Sequence, residues 1–131
     1  MQYRITKQKS LIYSIIMQNG HLTVDELIEL LKQQDLKISL STIYRNLNIL
    51  TQEGKIKKIK SENKSMYETI KEHHYHFECN SCHQVFDVDP SLVQIKIHHS
   101  AAIITKKDLF LYGICESCKK NLDNKEKEKW N

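Results

Sequence analysis

Apolar residues in the first part of the chain recur at the spacing of helices. Ile12 and Ile16 lie about one turn apart and Gly20 follows them, which predicts a helix that ends at a glycine cap. Thr23 and Glu26 have the spacing of a capping box, in which each side chain bonds to the other residue's backbone N–H. The leucines and isoleucines after them predict a second helix.

A third helix and a hairpin are predicted next. The helix begins near Ser39 or Ser41 and stops at Gly54. Its apolar face is formed by Ile43, Leu47 and Leu50. Residues 55–60 and 65–70, joined by a polar break, are predicted to form a lysine-rich β-hairpin. Three helices followed by a two-stranded ribbon are typical of a winged helix-turn-helix.

The opposite face of the third helix suggests contact with DNA. It offers hydroxyl, amide and guanidinium groups and no acid, which suits hydrogen bonds to phosphates and base edges. The hairpin lysines can follow the phosphates. The alternative is an ordinary solvated helix beside a lysine-rich edge strand that discourages aggregation. The candidate DNA-binding residues are Thr42, Tyr44, Arg45, Asn48, Lys55, Lys57, Lys58 and Lys60.

The second part of the chain has a different pattern. His74 and His76 are at strand spacing, so both imidazoles are expected on one face. Asp89 and Pro90 predict the start of a helix that runs to about Ala102, with Leu92, Ile95 and His99 facing inward. Residues 108–112 predict a further strand, and the lysines and glutamates after it predict a solvated tail.

Charge divides the chain at the same place. Residues 1–72 hold twelve Lys and Arg against eight Asp and Glu, whereas residues 73–131 hold eight against eight, so the net charge of +4 belongs to the first part. Such asymmetry suggests that one part meets a polyanion. We therefore expect a DNA-binding domain over residues 1–71, a metal-binding domain over 72–120 and a disordered charged tail over 121–131.

The overall composition, 40% hydrophobic and 27% charged, is that of a folded globular protein and excludes collagen-like and disordered chains. No apolar run approaches the roughly twenty residues of a membrane span. The basic and apolar start, Arg4 to Met17, lacks the cleavage site of a secretory signal. We expect a cytoplasmic protein without a membrane partner.

Four cysteines form two tight pairs, Cys79 with Cys82 and Cys115 with Cys118. Each pair places two thiolates inside one turn, and two such turns together give a closed tetrahedral sulfur site that suits zinc. Four thiolates leave no open position for water, so we expect a structural zinc. A pair of redox-active dithiols is the alternative, but the βαβ unit that usually accompanies that motif is missing.

Acidic and imidazole side chains surround the first cysteine pair. Glu68 precedes His74 and His76, and Asp87 follows Cys82. This grouping makes a second site with nitrogen and oxygen ligands plausible, and that donor set suits Fe(II) or Mn(II), with Zn(II) or Co(II) also able to bind. Each histidine taken alone is more often ordinary polar surface.

Three motifs together resemble the ferric uptake regulator (Fur) family of bacterial metal-responsive repressors. They are STIYRNL at residues 41–47, HHYH at residues 73–76 before the first cysteine pair, and LYGIC at residues 111–115. The similarity spans roughly Thr6 to Cys118. It implies an α+β protein, with an N-terminal winged helix-turn-helix followed by a small α/β dimerisation domain with a four-cysteine zinc site.

The resemblance also implies a function and its residues. A homodimer would bind double-stranded operator DNA in response to a metal and repress transcription, without enzymatic activity or a small-molecule substrate. Ser41 joins the DNA-binding set by its motif position. The regulatory metal ligands implied by motif position are His21, Glu68, His74, His76 and Asp87.

The resemblance favours Fe(II) or Mn(II) as the signal. Zinc sensors of the family often have a cysteine near the position of Glu68, and peroxide sensors usually have aspartate there and often asparagine where Arg45 stands. Both alternatives remain open. From other classes, a zinc-ribbon module that binds nucleic acid or a partner without sensing metal would also explain the cysteines. A metal hydrolase or deaminase is disfavoured because its histidine and glutamate motif is missing.

Overall fold

The fold was obtained as a computed structural model. It describes residues 2–98 and 101–129, with side chains described for residues 7–98 and 101–122. The chain divides into two compact units, Met1–Lys71 and Glu72–Asn131. No helix of the described residues is long and apolar enough to cross a membrane.

The first unit is a winged helix-turn-helix, as predicted. Its elements are α1 (Gln2–Asn19), β1 (His21–Leu22), α2 (Val24–Gln33), α3 (Leu40–Gln52), β2 (Ile56–Lys60) and β3 (Ser65–Thr69). Strands β2 and β3 form the predicted antiparallel hairpin. Strand β1 was not predicted, and it pairs with β3 to give a three-stranded sheet in the order β1-β3-β2.

Helix ends and core of this unit follow from the local sequence. Thr23 and Glu26 form the predicted capping box, with both hydrogen bonds at 3.1 Å. Ser39 caps α3, and Gly20 adopts a positive φ of 76° just after α1. The helices and sheet bury one apolar cluster, whose members include Ile12, Ile16, Leu22, Leu27, Leu31, Ile43, Leu47, Leu50, Ile56 and Tyr67.

The second unit is a small sheet followed by a helix. Its elements are β4 (Tyr75–Cys79), β5 (Val85–Val88), β6 (Phe110–Gly113) and α4 (Glu116–Lys129). Strand β4 is central, antiparallel to β5 and parallel to β6. A parallel pairing needs a long connection, and residues 89–109 supply it. The ends of β4 and β6 therefore lie side by side.

The predicted helix from Asp89 to Ala102 is wrong over the described residues. Asp89 does cap a turn, but that turn is a single 3-10 turn at Pro90–Leu92, after which Val93 is extended (φ −125°, ψ 126°). From Val93 to Ile97 apolar β-branched residues alternate with polar ones, a pattern that disfavours a helix. Leu92 and Ile95 are exposed rather than inward-facing. Residues 99 and 100 lie outside the described residues.

The tail also differs from the prediction. Residues 121–129, predicted to be disordered, continue α4. The helix is rich in lysine and glutamate, both good helix formers, and contains no Gly or Pro. Lys120 Nζ lies 3.3 Å from Glu116 Oε1 one turn earlier, an arrangement that adds a little helix stability.

Candidate metal centres and DNA-binding surface

The four cysteines meet at one end of the second unit's sheet. Cys79 ends β4, Cys82 follows the tight turn after it, Cys115 lies just beyond β6, and Cys118 is in the first turns of α4. One sulfur from each residue lies within 4.8 Å of all the others. The parallel pairing of β4 with β6 brings the two pairs together, because the two strands end side by side at Cys79 and Gly113.

The sulfur geometry fits a tetrahedral metal. With Zn–S bonds of about 2.3 Å, neighbouring sulfurs of a tetrahedral site lie about 3.8 Å apart. The Sγ atoms of Cys82 and Cys115 are 3.8 Å apart. Cys79 Sγ is buried and accepts backbone N–H bonds from Ser81, Cys82 and Cys115, each at 3.4 Å. Such bonds are typical of a sulfur held as thiolate.

The pKa values of two of the clustered thiols are shifted in opposite directions. Backbone N–H donation from Cys115 and then Cys82 lowers the pKa of Cys79 to about 5. Hydrogen bonding with Ser81 lowers the pKa of Cys118, but its hydrogen bonds with the neighbouring thiols, together with burial, raise that pKa to about 12. Thiols this close cannot all ionise unaided, because each thiolate disfavours the next. A divalent ion would remove that conflict.

In the first unit, an imidazole and a carboxylate that could bind a metal lie side by side. His21 in β1 pairs directly with Glu68 in β3, so both side chains lie on one face of the sheet. His21 Nε2 is 3.1 Å from Glu68 Oε2, and the Glu68 side chain is 0% exposed. A buried carboxylate needs a cationic or hydrogen-bonding neighbour. The pairing of β1 with β3 explains how a residue so far from the other candidates in sequence becomes a partner of Glu68.

In the second unit, two imidazoles and a carboxylate that could bind a metal lie close together. His76 in β4 pairs with Asp87 in β5, and the rings of His74 and His76 are 4.6 Å apart. His74 Nδ1 donates to the Glu72 carbonyl at 2.8 Å, because a carbonyl can only accept. With Nδ1 engaged in this way, Nε2 is the ring nitrogen left to bind a metal, and it lies 3.4 Å from Asp87 Oδ1. This orientation by a backbone carbonyl is typical of metal-binding histidines.

Phe110 holds the His76 ring. The two rings stack at 5.0 Å with an interplanar angle of 18°, and His76 is buried. The sequence did not identify Phe110, because its contact with His76 arises from the parallel β4–β6 pairing, which joins residues far apart in the chain. No local pattern predicts that pairing.

The candidate DNA surface lies on α3 and the hairpin. Ser41, Tyr44, Arg45 and Asn48 are exposed along α3, whereas Thr42 is half-buried and its hydroxyl accepts from Ser39 Oγ at 2.8 Å. Lys55, Lys58 and Lys60 are exposed in the hairpin. Two of the hairpin lysines lie beside carboxylates. Lys55 Nζ is 3.4 Å from Glu53 Oε2, and Lys57, paired with Glu68 in the sheet, places Nζ 3.4 Å from Glu68 Oε1.

An ion pair that the sequence did not reveal links the end of α3 to α1. Lys9 Nζ in α1 donates to Glu53 Oε1 at the end of α3, at 2.7 Å. This bond from Lys9 lowers the pKa of Glu53. The two residues are 44 positions apart in the sequence, so the contact forms only when α1 and α3 pack together.

The first unit is a winged helix-turn-helix, and the second carries a cluster of four thiols and further imidazole and carboxylate side chains. Together these features indicate a metal-binding transcriptional regulator. The model of the ferric uptake regulator family matches residues 1–111. The chain belongs to that family, and it is therefore a metal-responsive transcriptional repressor rather than an enzyme.

Proteins similar to this chain include both ferric uptake regulators and peroxide-responsive regulators. The chain is 30% identical over 122 residues to the peroxide-responsive repressor PerR of Staphylococcus epidermidis, covering 88% of this chain and 81% of that protein. The Helicobacter pylori ferric uptake regulator, whose structure is described as revealing three functional metal binding sites, is 26% identical with a TM-score of 0.70, covering 86% of this chain and 80% of that one. The Campylobacter jejuni peroxide stress regulator is 25% identical with a TM-score of 0.67, covering 89% and 93%.

Proposed function

We propose that the protein represses transcription by binding operator DNA as a homodimer when its regulatory site holds Fe(II) or Mn(II). The observation that carries this proposal is the chemistry of the ligands outside the thiol cluster. His21 and Glu68 in the first unit, and His74, His76 and Asp87 in the second, offer three nitrogens and two carboxylates. Harder donors of this kind suit Fe(II) and Mn(II), although Zn(II) can also bind.

We propose that the five ligands share one ion. The first unit offers only two of them and the second only three, so neither set alone fills the six positions that these metals commonly use. An ion shared by both units would link its binding to their relative orientation, and hence to the orientation of the recognition helices. By linkage, operator DNA would tighten metal binding to the same extent.

The thiol cluster is proposed to hold a structural zinc. The spacing of Cys82 and Cys115 matches a zinc–thiolate tetrahedron, and backbone N–H bonds to its sulfur lower the pKa of Cys79. Because the second unit is small, a closed metal site would supply much of its folding free energy. Cys118 and Cys115 would complete the four ligands.

The homodimer is supported by apolar surface on the second unit. Several large apolar side chains are exposed there, including Leu92 at 78% and Ile103 at 90%. Ile95, Ile97 and Ile104 are also exposed. Exposed large apolar side chains in such number are costly in a monomer, and a partner subunit that covers them would relieve that cost.

The DNA contacts are proposed to divide into two kinds. The exposed side chains of α3 would read bases or fix the helix on the DNA backbone; they are Ser41, Tyr44, Arg45 and Asn48. Lys55, Lys58 and Lys60 supply contacts to phosphates that do not depend on sequence. In the predicted set, the side chains of Thr42, Lys55 and Lys57 also contact Ser39, Glu53 and Glu68 respectively.

Two substitutions separate these kinds of contact. Arg45→Ala is expected to weaken binding to an operator selected from random DNA by about 1–3 kcal/mol and to leave binding to scrambled DNA nearly unchanged. Lys60→Gln is expected to weaken binding to the operator and to scrambled DNA alike. It should also reduce the slope of log K against the logarithm of salt concentration by about one. Fluorescence anisotropy over a salt series measures both effects. Lys32→Gln, which removes the same charge from α2, serves as the control. Equal losses on both DNAs for Arg45→Ala would contradict a base-reading role.

The metal requirement is tested by anaerobic titration. We expect zinc-loaded protein to bind the selected operator only after Fe(II) or Mn(II) is added, and chelation to reverse binding, because the five-ligand site must fill to orient the units. Metal analysis before and after each titration gives the stoichiometry. Operator binding that is independent of added metal and of chelators would support the zinc-ribbon alternative. A response to Zn(II) alone would make the protein a zinc sensor.

Peroxide response is a second candidate function. It is favoured by the relative named PerR at 30% identity and by the C. jejuni peroxide stress regulator. The titration is therefore repeated on the Fe(II) and Mn(II) forms after brief exposure to dilute hydrogen peroxide. If the Fe(II) form alone loses operator binding and His21 or His74 gains an oxygen atom by mass spectrometry, the protein is a peroxide sensor. If neither form changes, it reports metal supply.

A further inference from the structure

Lys57 lies beside a proposed metal ligand although it belongs to the basic hairpin. Strand β3 runs between β1 and β2, and Glu68 is paired with His21 on one side and with Lys57 on the other. Directly paired residues in a sheet project from the same face. Three side chains of a single row, one imidazole, one carboxylate and one ammonium, therefore stand together.

The two oxygens of Glu68 have different partners. Oε2 is 3.1 Å from His21 Nε2, and Oε1 is 3.4 Å from Lys57 Nζ. The carboxylate is fully buried, and a buried carboxylate is stable as an anion only beside a positive charge or strong hydrogen-bond donors. Lys57 supplies a positive charge at that position without any metal.

We propose that Lys57 is a built-in counter-cation of Glu68, and that it sets the metal affinity of the regulatory site by competing with the ion for that carboxylate. The proposal rests on the proposed function, in which Glu68 is a metal ligand. Lys57 is 38% exposed, so its ammonium can move to water when an ion arrives, whereas His21 is only 12% exposed. Its flexible stem and strong hydration suit such an exchange.

The competition has a direction that can be measured. A divalent ion at Glu68 is repelled by the nearby ammonium, or must displace it, so Lys57 weakens metal binding relative to an uncharged side chain. The same ammonium stabilises the metal-free protein, because it neutralises a buried charge. Removal of Lys57 should therefore strengthen metal binding and weaken the metal-free fold together.

The test measures Mn(II) binding to the zinc-loaded full chain without DNA. Lys57→Gln is expected to bind Mn(II) about tenfold more tightly than the unmodified protein in a competition titration with a fluorescent chelator. The titration is run at about pH 8, where free imidazoles are neutral and carboxylates are ionised. Lys57→Arg, which keeps the charge, should bind within about twofold of the unmodified protein. Lys64→Gln, which removes one charge from the turn of the same hairpin, is the matched control and should behave likewise.

Thermal unfolding gives a second readout. Metal-free Lys57→Gln should melt below the metal-free unmodified protein, and saturating Mn(II) should raise its midpoint by more. If Lys57→Gln and Lys64→Gln bind Mn(II) with equal affinity, the inference about Lys57 is wrong while the metal site stands. If the unmodified protein binds no Mn(II) beyond what Glu68→Gln binds, the proposed function itself fails.

Discussion

Cys79→Ser is expected to remove zinc from the protein and to unfold the second unit. Cys79 is the most enclosed of the four thiols, and its sulfur accepts three backbone N–H bonds from both sides of the cluster. Serine is a poor zinc ligand at neutral pH because its hydroxyl stays protonated. Structural zinc contributes roughly 10–16 kcal/mol of apparent binding free energy in small domains, which is comparable to or greater than the stability of an ordinary domain.

The first unit is expected to survive this substitution. Its core of helix and sheet residues lies within Met1–Lys71 and includes no cysteine. Circular dichroism should therefore retain the helical signal of α1 to α3. Zinc analysis should fall to background, and size-exclusion chromatography should show loss of the proposed dimer. Asn80→Ala, next to Cys79 with an exposed side chain, should keep zinc and fold. Retention of zinc and of the dimer by Cys79→Ser would show that the cluster is not structural.

Helix caps and the hairpin could be predicted from the sequence because the residues that interact are close in the chain. The capping box of Thr23 and Glu26 spans three residues, and Ser39 caps α3 within the same distance. The hairpin of residues 55–70 needed only a basic alternating run, a polar break and a second run. The two caps are determined by hydrogen bonds within one turn of chain, and the hairpin by pairing between two runs that are adjacent in the sequence.

Contacts that depend on pairing between strands from distant parts of the chain could not be predicted from the sequence pattern. Strand β1 is two residues long and has no strand signal of its own, yet its pairing places His21 against Glu68. The parallel pairing of β4 with β6 likewise places Phe110 on His76. Only the resemblance to a family pointed to His21, and nothing in the sequence pointed to Phe110.

The incorrect helix after Pro90 shows how two local signals can disagree. Asp89 and Pro90 are a good helix start, and the structure forms that start as a single turn. The alternation from Val93 to Ile97 then favours extended backbone. A start signal therefore predicts only the first turn, and the periodicity of the residues that follow decides whether the helix continues.

His76→Ala is expected to abolish metal-dependent operator binding while leaving the zinc and the fold in place. The ring is buried against Phe110 and paired with Asp87, so its removal takes away one of the five proposed ligands and leaves a cavity beside Phe110. Loss of an outer partner of a metal ligand already costs about 10- to 100-fold in affinity, and loss of the ligand itself should cost at least as much. The thiol cluster lies at the other end of β4 and should be untouched.

The measurements for His76→Ala are the ones that separate the two metal sites. Zinc content should match that of the unmodified protein, the melting midpoint of the zinc-loaded form should fall by only a few degrees, and Mn(II) should no longer induce operator binding. His73→Ala, an exposed histidine three positions earlier, is the matched control and should keep the full Mn(II) response. If His76→Ala loses zinc while Cys79→Ser loses only the Mn(II) response, the structural and regulatory roles belong to the opposite clusters. A partial Mn(II) response by His76→Ala would instead mean that four ligands are enough to couple the ion to DNA, which would leave His76 as a contributor to affinity alone.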